Sequence, residues 1–267
     1  VEQLQNPKTY GLADDKKITL LQTHISFVIL TDSFAYKVKK PVDFGFLDFS
    51  TLEKRKHFCE EELRLNSRLC PQIYEEVIQF TKKDDGNGIE INGNGKTIEY
   101  AVKMKQFPQD HIMTQLLKEE KISKNHIDDL VDTLVRFYKD SPSSEKIRSF
   151  GSIESVKQNI DENFKQTENK IGITISKETF DFIKVANDLF FKEKKDVLVK
   201  RKNEGFIKSC HGDLHSGNIV LINDSLCVFD CIEFNKRFRY IDVASDIGFF
   251  AMDLDIREKP YLSSYLI

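Results

Sequence analysis

Near the N-terminus, apolar residues come in short, closely spaced clusters. KKITLLQT, ISFVIL and FAYKVKK lie within residues 16–40 and are rich in β-branched and aromatic side chains. They read as three strands, with Thr31–Ser33 as the turn between the second and third. In LDFSTLEKRKHFCEEELRLNSRLCP the pattern becomes helical. Leu52, Phe58, Leu65 and Leu69 supply apolar positions, Ser50 with Glu53 suggests a capping box, and Pro71 stops the helix. YEEVIQFTK and KTIEYAVKMK predict two more strands across the glycine- and asparagine-rich connection DDGNGIEINGNG. From about residue 111 helices dominate. Ile127, Leu130, Val131, Leu134, Val135 and Tyr138 form an amphipathic stripe; Val156, Ile160 and Phe164 suggest a second helix; Ser176 opens a long one that closes near Gly205. Two short strands, NIVLI and LCVFD, turn at Asn223–Ser225, and DVASDIGFFAMDLD reads as a further helix.

The predicted class is α+β and bilobal. An antiparallel, strand-rich part with one major helix spans residues 1–107, and a mostly helical part with a small hairpin spans residues 108–267. Nucleotide pockets commonly form in clefts between such parts. The final stretch, YLSSYLI, is apolar and helical with no stop signal, so the helical part is expected to continue.

Composition narrows the function classes. The 267 residues are 40% hydrophobic and 31% charged, with a net charge of −3, which fits a soluble globular chain and offers no basic field for nucleic acid. The basic run FKEKKDVLVKRK reads as the wet face of a helix. No apolar run approaches membrane-spanning length, and VEQLQNPKTYG has no apolar signal core. The five cysteines match no zinc-ribbon spacing, so reduced thiols in a cytoplasmic protein are expected.

The segment HGDLHSGN, His211 to Asn218, concentrates polar chemistry between the apolar stretches GFIKSC and IVLI. Phosphoryl transfer needs a cation on the phosphates, hard oxygen ligands for magnesium, and a carboxylate to orient the acceptor hydroxyl and take its proton. An aspartate with an asparagine five residues on is the kinase catalytic-loop spacing, and Asp213 with Asn218 has it. Asp230, ending the strand LCVF, stands where a second metal-binding carboxylate is required. In FAYK, strand alternation puts Ala35 and Lys37 on one face, the small Ala35 leaving room for a purine. Lys39 shares that face as the fallback, and Glu60, Glu61 and Glu62 are candidates to hold the lysine, Glu62 best suiting a buried position. GNGKT, Gly93–Thr97, lacks the upstream glycine of a phosphate-binding P-loop and lies between strands, so it reads as a hairpin turn.

HGDLHSGN, VFDCIEF and DVASD together resemble the aminoglycoside phosphotransferase and choline kinase-like superfamily, a branch of the kinase-like fold. THISFVILTDSFAYKVKKPVDFGFLDFSTLEKR is similar to an uncharacterised phosphotransferase-like group in which a P-loop kinase domain often follows. The resemblance covers nearly the whole chain. It implies ATP or GTP with Mg2+, Asp213 as catalytic base, Asn218 and Asp230 as metal ligands, Lys37 with Glu62 on the phosphates, and Lys105, Gln106 and Phe107 as the purine-binding linker. The glycine-rich loop of protein kinases is absent, and Thr23, His24 and Ser26 are left to meet phosphate. His211, His215 and Asp246 are expected to support the loop, and Glu233 is either a metal or substrate contact or an exposed turn residue. Asp242 is expected to do work similar to that of Asp246.

Three other readings compete. His211, Asp213 and His215 would suit a metal-dependent hydrolase, but leave Asn218, Asp230 and Lys37 without a role. A protein kinase needs a longer activation segment than the fifteen residues between Asp230 and Asp246, so a small-molecule hydroxyl acceptor fits better. A nucleotide-sensing pseudokinase would not need every transfer group that the chain carries.

Overall fold

The computed structural model describes residues 2–84 and 86–267. Val1 and Asp85, the latter in the DDGNG connection, lie outside the described residues. Along the chain run β1 (Thr19–Gln22), β2 (Ser26–Leu30), β3 (Phe34–Lys39), α1 (Leu52–Asn66), β4 (Tyr74–Lys82), β5 (Ile89–Ile91) and β6 (Thr97–Lys105). They are followed by α2 (Met113–Lys118), α3 (Lys124–Asp140), α4 (Glu145–Ser149), α5 (Ile153–Thr167), α6 (Lys177–Glu193), α7 (Lys195–Asn203) and β7 (Ile207–Ser209). The chain then forms β8 (Ile219–Ile222), β9 (Ser225–Val228), α8 (Lys236–Arg239), β10 (Tyr240–Asp242), α9 (Val243–Ile256) and α10 (Pro260–Leu266). The class is α+β, with a six-stranded antiparallel sheet in the order β1-β2-β3-β6-β4-β5.

Two compact units share the chain. One comprises Val1–Phe137, Asp213–Asn235 and Phe250–Ile267, and the other Tyr138–Gly212 and Lys236–Phe249. The first holds the large sheet, α1 and the β8–β9 hairpin; the second holds α4 to α7 and the β7–β10 pair.

In the first unit, strand alternation on β3 separates core from chemistry. Tyr36 and Val38 turn to a buried cluster with Ile29, Ile78, Phe80, Ile89 and Ala101. Leu4 and Tyr10 of the N-terminal 3-10 turns pack against this cluster and cover that face. Ala35, Lys37 and Lys39 occupy the other face, which α1 approaches with Cys59 and Glu62 buried. Each large apolar side chain buried this way contributes about 1.5–3 kcal/mol, so the register of β3 is strongly specified: a one-residue slip would put lysines into the core.

Four local expectations are corrected. The N-cap of α1 is Thr51, whose side chain accepts from the Lys54 N–H at 3.2 Å, while the Ser50 hydroxyl instead donates to Asp48 at 2.6 Å. The glycine- and asparagine-rich connection contains a strand, β5, and β4 lies between β5 and β6, so GNGKT links two strands that do not pair with each other. The helix from Ser176 breaks at Lys194 into α6 and α7. From Lys192 to Asp196 there is no apolar side chain whose burial would hold a continuous helix together. Finally, Cys70 and Cys227 are joined sulfur to sulfur with Cα atoms 5.3 Å apart, while Cys59, Cys210 and Cys231 are buried thiols outside any disulfide. Reduced thiols therefore describe three of the five.

Candidate active site

Five charged side chains from three places in the chain meet in the first unit. Lys37 Nζ lies 2.5 Å from Asp230 Oδ1 and 2.8 Å from Glu62 Oε1. The contact to Glu62 is an ion pair without the orientation of a hydrogen bond. Lys39 Nζ donates to Glu62 Oε2 at 2.7 Å and to Glu233 Oε1. Of the three glutamates on α1, Glu62 is the buried one that reaches the lysines; Glu60 pairs with Lys56, and Glu61 with Arg64. Glu233 is buried, 6% exposed, and engaged with Lys39. Burial alone would pull both lysines down, but Asp230 and Glu62 hold Lys37 well above the ordinary lysine range, and Glu233 and Glu62 do the same for Lys39. Burial likewise pushes Glu62 up, and the two ammonium groups outweigh it, leaving its carboxyl below the usual value.

The loop from His211 to Asn218 is pinned at both ends. Within the second unit, Asp246 accepts from the backbone N–H groups of His211 at 2.7 Å and Gly212 at 2.8 Å, and from the Tyr138 hydroxyl at 3.2 Å. Gly212 has φ +89°, and a Cβ there would stand 2.7 Å from the Phe238 carbonyl oxygen, so only glycine fits. His211 is fully buried. Asp242 forms a two-pronged ion pair with Arg201 at 2.7 Å and caps the Ala244 N–H, so its work differs from that of Asp246. Within the first unit, Asp253 accepts from the Ser216 N–H at 2.9 Å and its hydroxyl at 2.5 Å, and is itself paired with Arg257 at 3.0 Å. Asp253 was missed from the sequence. Its signal is the seven-residue offset from Asp246, which puts both on one face of α9.

Between these anchors, Asn218 Nδ2 donates to the Asp213 backbone carbonyl at 3.0 Å and to its carboxylate Oδ2 at 3.1 Å. His215 Nδ1 accepts from the Gly217 N–H at 3.0 Å, so the neutral ring carries its proton on Nε2, which lies 3.5 Å from Asp213 Oδ2. The Asp213 carboxylate at Nε2 raises the His215 pKa. Asp230 follows β9 with φ +63°, a left-handed conformation uncommon for a non-glycine residue, and its N–H donates to the Tyr74 hydroxyl at 3.2 Å. The carboxylate-bearing side chains of Asp213 and Asp230 stay 44% and 43% exposed, open to a ligand.

A cavity of about 230 Å³ opens beside Lys37 and Asp230. Its walls include Ala35, Leu30, Met104, Phe107 and Phe229, with Lys105 and Gln106 along the linker. Lys105 N–H donates to the Ile73 carbonyl at 2.8 Å and Gln106 N–H to the Ser33 carbonyl at 2.9 Å. Phe107 N–H has no partner among the described residues. The glycine-free turn between β1 and β2 is built on Thr23, whose hydroxyl accepts from the Ile25 and Ser26 N–H groups. Thr23 lines the cavity; His24 is exposed and Ser26 buried, and neither lines it. A larger cavity of about 590 Å³, with Leu4, Phe27, Phe80, Ile89 and Ile98 in its walls, lies on the other face of the sheet. Its lining also includes Lys39, and its one carboxylate on the sheet, Glu99, is paired with Arg55 at 2.9 Å.

The donor set suits a hard divalent cation. Asn218 turns its amide nitrogen to Asp213, which leaves the amide oxygen as its remaining side-chain acceptor, and Asp230 adds a half-exposed carboxylate. Among the described residues, no group of three or more His, Cys, Asp and Glu side chains could hold a metal ion, so His211, Asp213 and His215 do not form the hydrolase-type ligand set. Among the described residues, no helix is long and apolar enough to cross a membrane.

No family model matches the chain. Uncharacterised proteins of Mycobacterium bovis and Mycobacterium tuberculosis are 27% identical to it over 258 residues, covering 97% of the chain and 50% of each relative. The chain thus spans about half the length of the curated relatives it matches. Among solved structures, the GDP and kanamycin complex of APH(2")-IIia superposes with a TM-score of 0.51 at 9% identity, covering 99% of the chain and 82% of that structure. The chain has the aminoglycoside phosphotransferase and choline kinase-like fold. A choline/ethanolamine kinase family protein from Mesorhizobium loti shares it, with a TM-score of 0.50 at 10% identity over 99% of the chain and 73% of that structure. At such identities the likeness speaks for the fold alone, and what the chain does rests on the residues above.

Proposed function

We propose that this chain is the nucleotide-binding and catalytic part of a small-molecule kinase, which moves the γ-phosphate of ATP, or of GTP, to a hydroxyl of its acceptor in a magnesium-dependent reaction. The observation that carries the reading is the meeting of Lys37, Glu62 and Asp230 beside a cavity floored by Ala35 and walled by the linker. The cavity volume, below the about 300 Å³ at which whole-ligand pockets begin, matches a purine ring with the phosphates leaving toward Lys37. Phe107 N–H is the linker donor available to that ring.

Lys37 neutralises phosphate oxygens, and Glu62 keeps its ammonium from wandering. Asp230 and the Asn218 amide oxygen would hold the magnesium ion, which supplies further charge neutralisation on the transferring group. Asp213 orients the acceptor hydroxyl and accepts its proton; the bonds from Asn218 and His215 fix the rotation of its carboxylate. Asp246 fixes the backbone where the loop begins, at His211 and Gly212. Glu233, buried against Lys39, has a different part, taken up below.

The experiment is magnesium-dependent ATP consumption by purified protein against a panel of hydroxyl-bearing metabolites, with Asp213→Asn alongside. The reading expects transfer by the wild type and nucleotide affinity without transfer in the variant. A fully active Asp213→Asn protein would refute the base assignment, and zinc or iron in the purified protein would favour the hydrolase.

A further inference from the structure

The ion cluster holds more than a phosphate-binding pair requires. Lys39 is 1% exposed and does not line the cavity at Lys37. Taking Lys39 and Glu233 out of water carries a desolvation cost that two apolar side chains of the same size would avoid. The geometry shows what is gained. Glu62 divides its carboxylate, Oε1 toward Lys37 at 2.8 Å and Oε2 toward Lys39 at 2.7 Å. Lys39 thus fixes the carboxylate that orients Lys37. Through Glu233 it also grips the chain three residues beyond Asp230.

That segment needs a grip. Asp230 sits in a left-handed conformation that the surroundings must enforce. Its N–H is held by the Tyr74 hydroxyl at 3.2 Å, and the next N–H, of Cys231, by Asn66 Oδ1 at 2.7 Å. Glu233 to Lys39 adds a side-chain anchor on β3, the strand that also carries Lys37. The Lys39 ammonium is further covered by the Phe49 ring, 4.8 Å to the centroid, which keeps water from competing.

We propose that Lys39 and Glu233 are positioning residues. They form a buried strap that holds Glu62 and the Asp230–Glu233 segment against β3, so that the phosphate lysine and the metal-binding carboxylate are in place before nucleotide and metal arrive. The proposal rests on the kinase reading for what Lys37 and Asp230 hold; the strap itself does not depend on it.

The test is the paired substitution Lys39→Met with Glu233→Met, which replaces both charges of the strap by apolar chains of similar length and leaves Glu62 paired with Lys37. Hydrogen exchange is read for the amides of residues 230–235, and half-saturating Mg2+ for a fluorescent ATP analogue. The double variant is expected to fold, with exchange in that segment faster by about tenfold or more and the Mg2+ requirement raised by about 10–100-fold, the usual effect of losing a group that orients a metal ligand. Unchanged exchange overturns the strap, whatever the protein binds. Faster exchange with an unchanged Mg2+ requirement overturns its part in placing Asp230. A wild type that binds no magnesium nucleotide sinks the kinase reading alone, and exchange still decides the strap. Should the double variant fail to fold, Glu233→Met alone, which removes the acceptor and leaves Lys39 paired with Glu62, is read in the same two ways, with the same outcomes deciding.

Discussion

Glu62→Gln separates the charge of Glu62 from its shape. The side chain is fully buried, with one oxygen 2.8 Å from Lys37 and the other 2.7 Å from Lys39. Breaking a buried ion pair by neutralising one member typically costs about 3–5 kcal/mol. Here Lys37 keeps Asp230, Lys39 keeps Glu233, and glutamine still offers an acceptor, so the lower end, about 3 kcal/mol, applies. For a chain of this size each kcal/mol moves the thermal midpoint by about 2–4 °C, giving a loss of about 6–12 °C near pH 7. The pH dependence follows from the lowered pKa of Glu62. A carboxyl whose folded pKa lies below its unfolded value stabilises fully above the unfolded value, about 4.3, and loses that contribution as pH falls through the folded one. The gap between wild type and variant should therefore be full at neutral pH and close as the solution is acidified below about pH 4.3. Thermal unfolding by circular dichroism across a pH series measures it. Equal midpoints at pH 7, or a gap that does not change with acid, would refute the reasoning.

Asp213→Asn is expected to lower transfer by about 10²–10⁴-fold, the usual share of a general base, with nucleotide affinity measured by calorimetry kept. Ala35→Leu should fill the cavity floor and abolish nucleotide binding while leaving the far-ultraviolet spectrum unchanged, since Ala35 faces away from the cluster around Tyr36 and Val38. Asp253→Asn removes the charge that Ser216 donates to twice, and should lower turnover more than nucleotide affinity in steady-state kinetics. Thiol titration of the unfolded, unreduced chain should find three reactive groups, from Cys59, Cys210 and Cys231, and five after reduction.

What was legible in the chain was whatever acts over short spacings. The alternation of FAYKVK puts Lys37 and Lys39 on one face of β3, and the offset from Asp213 to Asn218 is realised as a pair of hydrogen bonds within one loop. Glu62 stood out because a glutamate beside an apolar helical stripe is costly unless paired. What escaped were partnerships made only by folding. Lys39 and Glu233 are 194 residues apart, and Cys70 and Cys227 are 157 apart; no periodicity links such positions. Glu233 offered two readings as a turn residue because nothing nearby in sequence announces its buried lysine. β5, with three residues, is too short for alternation to show. Ser50 and Thr51 are both good caps, and the choice fell to Thr51 because Asp48 engages the Ser50 hydroxyl.

The central claim is that one cavity binds a magnesium nucleotide between Lys37, Asp230 and Asn218. A crystal structure of the protein with Mg2+ and a non-hydrolysable ATP analogue tests it most directly. The account predicts the purine against Ala35 and Phe107, phosphate oxygens at the Lys37 ammonium, and the ion on Asp230 and the Asn218 amide oxygen. A nucleotide bound elsewhere, or an ion held by His211 and His215 in place of Asp230, would contradict it.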